Sequence, residues 1–203
     1  SNSKNYGDGF TTMYGANHED IAYSYRTGNH GDGSWYSING NIDYQRTSRK
    51  NKQRMITFSY KINTQPQTSN SNTGYEDIHA KEEVDDLVKR LLLKTSQSDG
   101  KTNTMEQTFQ VDYTTPIGEL HTVEAGAKYI FRRNTSDNKL YEAAGGSDDY
   151  LYNEDRSSDY RHLNHILAAY LGYTLKYKDF TFKPGVRYEQ TVQRVKYIVG
   201  PGE

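Results

Sequence analysis

The sequence predicts an all-β protein: an antiparallel up-and-down meander of about seven long strands, with a short helix in one long loop. Three observations predict it. Apolar and polar residues alternate with period two through segment after segment. Charged residues in the middle of those segments keep to the polar parity. The composition calls for an ordered architecture that is aromatic-rich and aliphatic-poor, because the 203 residues include 19 Tyr but are only 33% hydrophobic. A mean hydropathy of −1.00 would alone suggest disorder, but disordered chains are poor in aromatics and this one is 13% aromatic.

The elements follow in order. Residues 1–19 form a polar N-terminal segment, and a first, weak strand is expected over Asp20–Arg26, which carries Ile21, Tyr23 and Tyr25. In Ser34–Arg46, Tyr36, Ile38, Ile42 and Tyr44 alternate with Ser37, Asn39, Asn41 and Asp43. After a short basic turn, Arg54–Thr64 sets Ile56, Phe58, Tyr60 and Ile62 against Thr57, Ser59 and Lys61. A long polar loop is expected over Gln65–Asn103. Within it, Val84, Leu87, Val88, Leu91 and Leu92 have helical spacing, so a helix is expected over Glu82–Lys94. Acidic residues at its start and basic ones at its end suit the helix dipole. Packing of that stripe on the loop base is favoured over a partner-binding role.

Thr104–Thr115 presents Met105, Phe109, Val111 and Tyr113, and His121–Arg133 presents Val123, Ala125, Ala127, Tyr129 and Phe131. A second long loop spans Asn134–Tyr160. Arg161–Tyr177 carries Leu163, Leu167, Leu171 and Leu175 on its apolar parity, and Phe180–Val192 closes the series. Pro184 interrupts that last strand on its apolar parity and removes a ladder donor, so a bulge or an early end is expected there. Residues 20–199 then form one domain and 200–203 a tail.

Charge and length narrow the class. With 25 basic and 26 acidic residues the net charge is −1, which excludes a nucleic-acid binder reliant on basic excess. The absence of cysteine excludes disulfide scaffolds and thiolate metal sites. No stretch reaches the about 18–20 apolar residues of a spanning helix. The strands, however, run roughly 11 to 17 residues, about twice the usual 5–6. Tilted near 45°, twelve residues rise about 28 Å, close to the apolar band of about 25 Å on an outer-membrane barrel. Short turns at Thr47–Lys52, Pro116–Leu120 and Lys178–Asp179 alternate with the two long loops, and Tyr44, Tyr113, Tyr177 and Phe180 sit beside the short turns as an interfacial girdle would. The alternative is a soluble β-sandwich adhesion or glycan-binding module, supported by the low hydrophobicity and by the many loop Tyr and Asn residues.

Several runs carry a resemblance: Asn41-Ile42-Asp43-Tyr44-Gln45-Arg46, Met55-Ile56-Thr57-Phe58-Ser59-Tyr60, Gln110-Val111-Asp112-Tyr113-Thr114-Thr115-Pro116, Glu124-Ala125-Gly126-Ala127-Lys128-Tyr129 and Gly185-Val186-Arg187-Tyr188-Glu189. In order and spacing they resemble TonB-dependent receptors of the outer-membrane β-barrel family. The resemblance implies residence in the Gram-negative outer membrane and non-catalytic nutrient uptake. It also implies a plug domain, a TonB-type energy-transducing partner and an unknown nutrient substrate. The sequence departs from a complete member in lacking a signal sequence, a plug, a TonB box and a terminal aromatic strand, and about seven strands fall short of the family's about 22. The expectation is an excised piece of a longer barrel whose parent performs the transport. An open sheet leaves unpaired edges that lipid cannot satisfy, so the piece by itself is expected to self-associate.

The candidate functional residues are the polar-parity charges Asp43, Asp112, Glu124, Lys128, Arg132, Lys183, Arg187 and Glu189, which would line the lumen of the parent barrel. Cross-strand pairing that holds the wall together is favoured over contact with substrate or plug. No catalytic, cofactor or metal role is assigned. His162 and His165 are three apart on a strand and point to opposite faces, while His18, His30, His79 and His121 have no ligand-spaced companion. The acidic stretch Ser147-Asp148-Asp149 with Asn153-Glu154-Asp155 departs from a calcium-loop pattern. No nucleophile–base set or phosphate-binding fingerprint is present, so an enzyme is not expected.

Overall fold

A computed structural model describes residues 1–16, 20–89, 93–144 and 147–199. They form one antiparallel sheet. Its strands are β1 (Asn2–Tyr14), β2 (Ile21–Trp35), β3 (Ile38–Thr47), β4 (Met55–Ala80), β5 (Lys94–Ile117), β6 (His121–Ala144), β7 (Leu151–Tyr152), β8 (Ser158–Tyr177), β9 (Phe180–Phe182) and β10 (Gly185–Val199), with helix α1 (Glu82–Leu87) between β4 and β5. The pairing path runs β1-β2-β4-β5-β6-β8-β10, with β3 beside β4, β7 beside β6 and β9 beside β8. Each long strand pairs with its neighbour in the chain, as in an up-and-down wall. A two-sheet Greek-key sandwich, the alternative expectation, is excluded by this single-sheet path.

Two pairs of strands are single lines with a break. β2 and β3 both lie along β4, Trp35 opposite Gln67 and Ile38 opposite Thr64, so the break at Tyr36–Ser37 does not alter the register. β9 and β10 likewise continue one line along β8, with Phe182 opposite Leu175 and Gly185 opposite Gly172. The break falls at Pro184, as its missing N–H requires, while its carbonyl still accepts from the Tyr173 N–H at 3.0 Å. The strand ends early and resumes; it does not bulge.

Three expectations are corrected. The N-terminal segment is a strand, β1, paired with β2 from Asn2–Ser34 to Tyr14–Ile21. The expected loops 65–103 and 134–160 are mostly strand: β4 runs on to Ala80, β5 starts at Lys94, β6 reaches Ala144 and β8 starts at Ser158. These extensions are rich in Ser, Thr and Asn on both faces, so no apolar stripe marks them, yet their backbones pair in the ladder, with a shift of register at Asp77–Ile78 against β2. The α-helix spans Glu82–Leu87 and continues as a π-turn through Val88 and Lys89, while Lys94, its expected last residue, already begins β5. Val88 and Leu93 bury its base, and the Leu93 N–H donates to the Val88 carbonyl at 2.8 Å. Of the expected stripe, Leu91, Leu92 and the side chain of Val84 lie outside the described residues.

The three short turns expected from the sequence fall at one end of the sheet, and the link from β1 to β2 falls at the other. Gly118 in the β5–β6 turn and Lys178 in the β8–β9 turn have φ of 68° and 53°, the left-handed values that tight hairpins demand. At that end Arg54 Nε donates to Thr115 Oγ1 at 3.0 Å, and the Lys176 N–H donates to the Leu120 carbonyl at 2.8 Å.

The sheet is one layer thick. It exposes 14731 Å2, against about 9,700 Å2 for a compact protein of 23.3 kDa. Among the described residues the buried hydrophobic side chains are Val88, Leu93, Ala143 and Ala168. Burial by folding alone does not explain this sheet; its faces are shaped for other surroundings.

Candidate functional site

Register decides which side chains share a face, because residues directly opposite one another in a ladder point the same way. One row runs Asp43–Ser59–Gln110–Lys128–Ala168–Glu189. The next runs Gln45–Thr57–Asp112–Gly126–Tyr170–Arg187. Glu124 and Arg132 lie two and four residues along β6 from these rows, and Lys183 lies in line with them beside Thr174. All eight sequence-predicted residues therefore occupy one face. The opposite face is apolar in the same span: one row there is Tyr44–Phe58–Val111–Ala127–Ala169–Tyr188, and the next is Ile42–Tyr60–Phe109–Tyr129–Leu167–Gln190.

The apolar face is bounded by charge. Arg46 and Arg54 close it at the short-turn end, Arg133 and Arg194 at the other, and the rows through Phe58, Tyr60 and Ile62 hold no Asp, Glu, Lys or Arg. From Arg54 to Thr64 the strand advances about 33 Å, or about 25 Å of height at a tilt near 40°. A shallow groove of about 460 Å3 on this face is lined by Ile42, Tyr44, Phe58, Tyr60, Phe109 and Leu167.

On the charged face, most of the predicted residues are neutralised by neighbours. Arg132 pairs with Glu106 directly across the β5–β6 ladder. Lys183 reaches across β8 to place Nζ 3.0 Å from Glu124 Oε2, the Glu124 side chain lying beside Gly172. Arg187 and Glu189, on one face of β10, are 2.7 Å apart. Asn41 Nδ2 donates to Asp43 at 3.0 Å. Asp112 accepts from Gln110 Nε2 and from the Tyr170 hydroxyl, each at 2.7 Å. The Tyr170 ring crosses Gly126, the residue between it and Asp112 in the row; a Cβ on Gly126 would stand 2.6 Å from Asp112 Oδ1 and inside the ring. Lys128 sits in the row of Asp43 and Glu189. The arrangement is a cross-strand network of the wall-bracing kind.

Sequence reasoning missed Tyr170, Glu106 and Gln110 as members of this network. Their parity was legible; their partners needed the register. The histidines fall as their spacing implies: His162 lies opposite Asn134 on one face, His165 opposite Phe131 on the other, where its Nδ1 is 2.7 Å from the Tyr129 hydroxyl. His18 lies outside the described residues. Near the far end, Asn153 Nδ2 donates to Glu142 at 2.6 Å, and Arg156 and Lys94 pair with the same carboxylate. Asp149 of the acidic stretch uses its N–H to bond Ser147 Oγ at 3.2 Å.

A one-layer antiparallel wall, charged on one face and belted by uncharged aromatic and aliphatic rows on the other, defines part of a membrane-spanning β-barrel. The sequence matches the outer membrane protein beta-barrel family over residues 45–199, and the chain belongs to that family and to the outer membrane. Among solved structures it is similar to the ferric citrate transporter FecA in its unliganded form, with 12% identity and a TM-score of 0.34 over 97% of this chain. The chain covers 36% of the length of that protein. None of the curated proteins matches the sequence.

Proposed function

We propose that this chain is a wall segment of a larger outer-membrane barrel that takes up a nutrient with energy from a TonB-type partner, and that it is itself non-catalytic. The observation that carries the proposal is the facing of charge across six neighbouring strand lines. An uncharged belt about 25 Å high suits hydrocarbon, and Asp43, Asp112, Glu124, Lys128, Arg132, Lys183, Arg187 and Glu189 on the other face suit a water-filled lumen or a plug seated in it. The sheet has open edges at β1 and β3 on one side and at β10 on the other, and such edges need further strands before a bilayer can accept them. A wall this broad that is still unclosed belongs to a wide barrel, with room for a solute path or a plug. The ion pairs on the lumen face brace that wall.

The test uses the full-length protein. It is expected to fractionate with the outer membrane, to migrate differently before and after heating, and to lose uptake of its nutrient when the energy-transducing partner is deleted. Recovery as a soluble periplasmic protein, or uptake indifferent to that deletion, would overturn the proposal.

A further inference from the structure

Charge changes sides along the strands. In the belt it lies on the lumen face. Above the level of Arg133 and Arg194 it lies mostly on the outer face, where one row is Lys4–Asp32–Asn70–Asp99–Lys139 and the row beneath it carries Lys101, Asp137 and Asp159. No slip of register produces the exchange: β4 and β5 pair without a shift from Met55–Thr114 to Thr73–Ser96, and β5 and β6 pair without one from Lys94 to Ile117. Charge on the outer face is what water above a membrane permits. The lumen face meets the same water and is free to be charged too, yet for four rows, up to Glu142 and Lys94, it carries no Asp, Glu, Lys or Arg.

Its second row above the belt's edge, after Gln65–Thr104–Asn134–His162–Val195, is Trp35–Gln67–Thr102–Ser136–Tyr160–Tyr197. The next is Ser3–Gly33–Ser69–Gly100–Asn138–Ser158, and the next Asn5–Gly31–Ser71–Ser98–Leu140. These three rows contain no Asp, Glu, Lys or Arg. Aromatic rings stand at both ends of the Trp35 row, Trp35 55% and Tyr197 49% exposed, with the Tyr160 ring tilted against that of Tyr197 at 6.1 Å. Hydroxyls and amides fill the middle. Gly33 and Gly100 keep the row above flat, since a Cβ would stand 2.9 Å from the Thr68 carbonyl or 2.6 Å from Ser69 Oγ. From Trp35 to Tyr197 is five strand spacings, about 24 Å, the reach of an oligosaccharide more than of a single sugar.

We propose that this uncharged wall is the entry surface for a neutral oligosaccharide. Its Ser, Thr, Asn and Gln groups both donate and accept, as sugar hydroxyls do, and exposed Trp and Tyr rings stack on the apolar faces of pyranose rings. An anionic chelate or phosphate would call for Arg or Lys on the face it meets, and these rows have none. The proposal rests on the uptake barrel described above and names the class of its ligand.

The test is binding of defined probes to the full-length barrel in detergent: neutral malto-, cello-, xylo- and manno-hexaose, acidic oligogalacturonate, and ferric citrate. A neutral hexaose is expected to bind and the two anionic probes are not. Trp35→Ala and Tyr160→Ala are each expected to weaken that binding tenfold or more, Trp35→Phe to retain most of it, and Lys101→Gln on the outer face to leave it unchanged, with heat-modifiable migration confirming that every variant is folded. Preference for either anion, binding of none of the neutral probes, or wild-type affinity in both alanine variants would overturn the proposal. Energy-dependent uptake of a charged solute would sink the sugar and keep the uptake barrel, whereas a protein that is no outer-membrane barrel sinks both.

Discussion

Tyr170 and Gly126 are complementary in shape. The phenol crosses the one residue in its row that has no side chain, and its hydroxyl reaches Asp112 on the strand beyond. Gly126→Ala must displace the ring and break that bond, so it is expected to cost about 1–3 kcal/mol, the usual penalty of overpacking. Tyr170→Phe keeps the ring over the glycine and loses only the hydrogen bond, about 1 kcal/mol. Urea midpoints of the full-length barrel refolded into vesicles order the two; a milder Gly126→Ala would mean that the ring does not need the space. Lys183–Glu124 is half open to solvent, at 58% and 33% exposure, so Lys183→Met is expected to cost under about 1 kcal/mol in the same measurement. The sequence shows the parity of these residues but not their partners, because Tyr170 and Asp112 lie 58 residues apart and only the ladder register brings them together.

At the scale of a strand, adjacent positions meet opposite surroundings. Val111 points into the uncharged belt and Gln110 to the face of Asp112. Val111→Arg is expected to cost about 2–4 kcal/mol in bilayer refolding, as for a guanidinium near the midplane. Gln110→Arg gains a carboxylate neighbour in Asp112 and is expected to stay within about 1 kcal/mol. Equal penalties would show that both faces meet the same medium. The belt strands were legible because hydrocarbon imposes contrast between the two parities. Their extensions were not: in Asn70-Ser71-Asn72-Thr73 both parities are polar, and apolar periodicity has nothing to report. Charge periodicity still reports there. Asp99 and Lys101 on β5, and Asp137 and Lys139 on β6, are spaced by two and share the outer parity, as do Lys4 and Asp32 in β1 and β2. That signal marks a strand with water on one side and something uncharged on the other.

For the whole molecule, the exposed belt sets a requirement that the sheet does not meet by itself. Three coverings are available to the isolated chain: its own connections, closure of its edges, or another copy. The longer connections join Ala80 to Lys94 and Ala144 to Ser158, strand ends that are remote from the rows of Phe58 and Tyr60. The terminal strand lines do not pair with each other. That leaves the second copy, so the 203-residue chain expressed alone is expected to self-associate. Its edges also predict how. The line of β1 and β3 and the line of β10 are different sequences, so edge-to-edge joining in that order is head-to-tail, and head-to-tail contacts form rings or grow without limit. Light scattering in detergent-free buffer should therefore give masses that rise with concentration above 23.3 kDa, and detergent that coats the belt should lower them without dissolving the β-structure seen by circular dichroism. A constant mass of one chain in plain buffer would mean that the sheet curls or refolds to hide its uncharged rows, and that those rows are satisfied by protein instead of lipid.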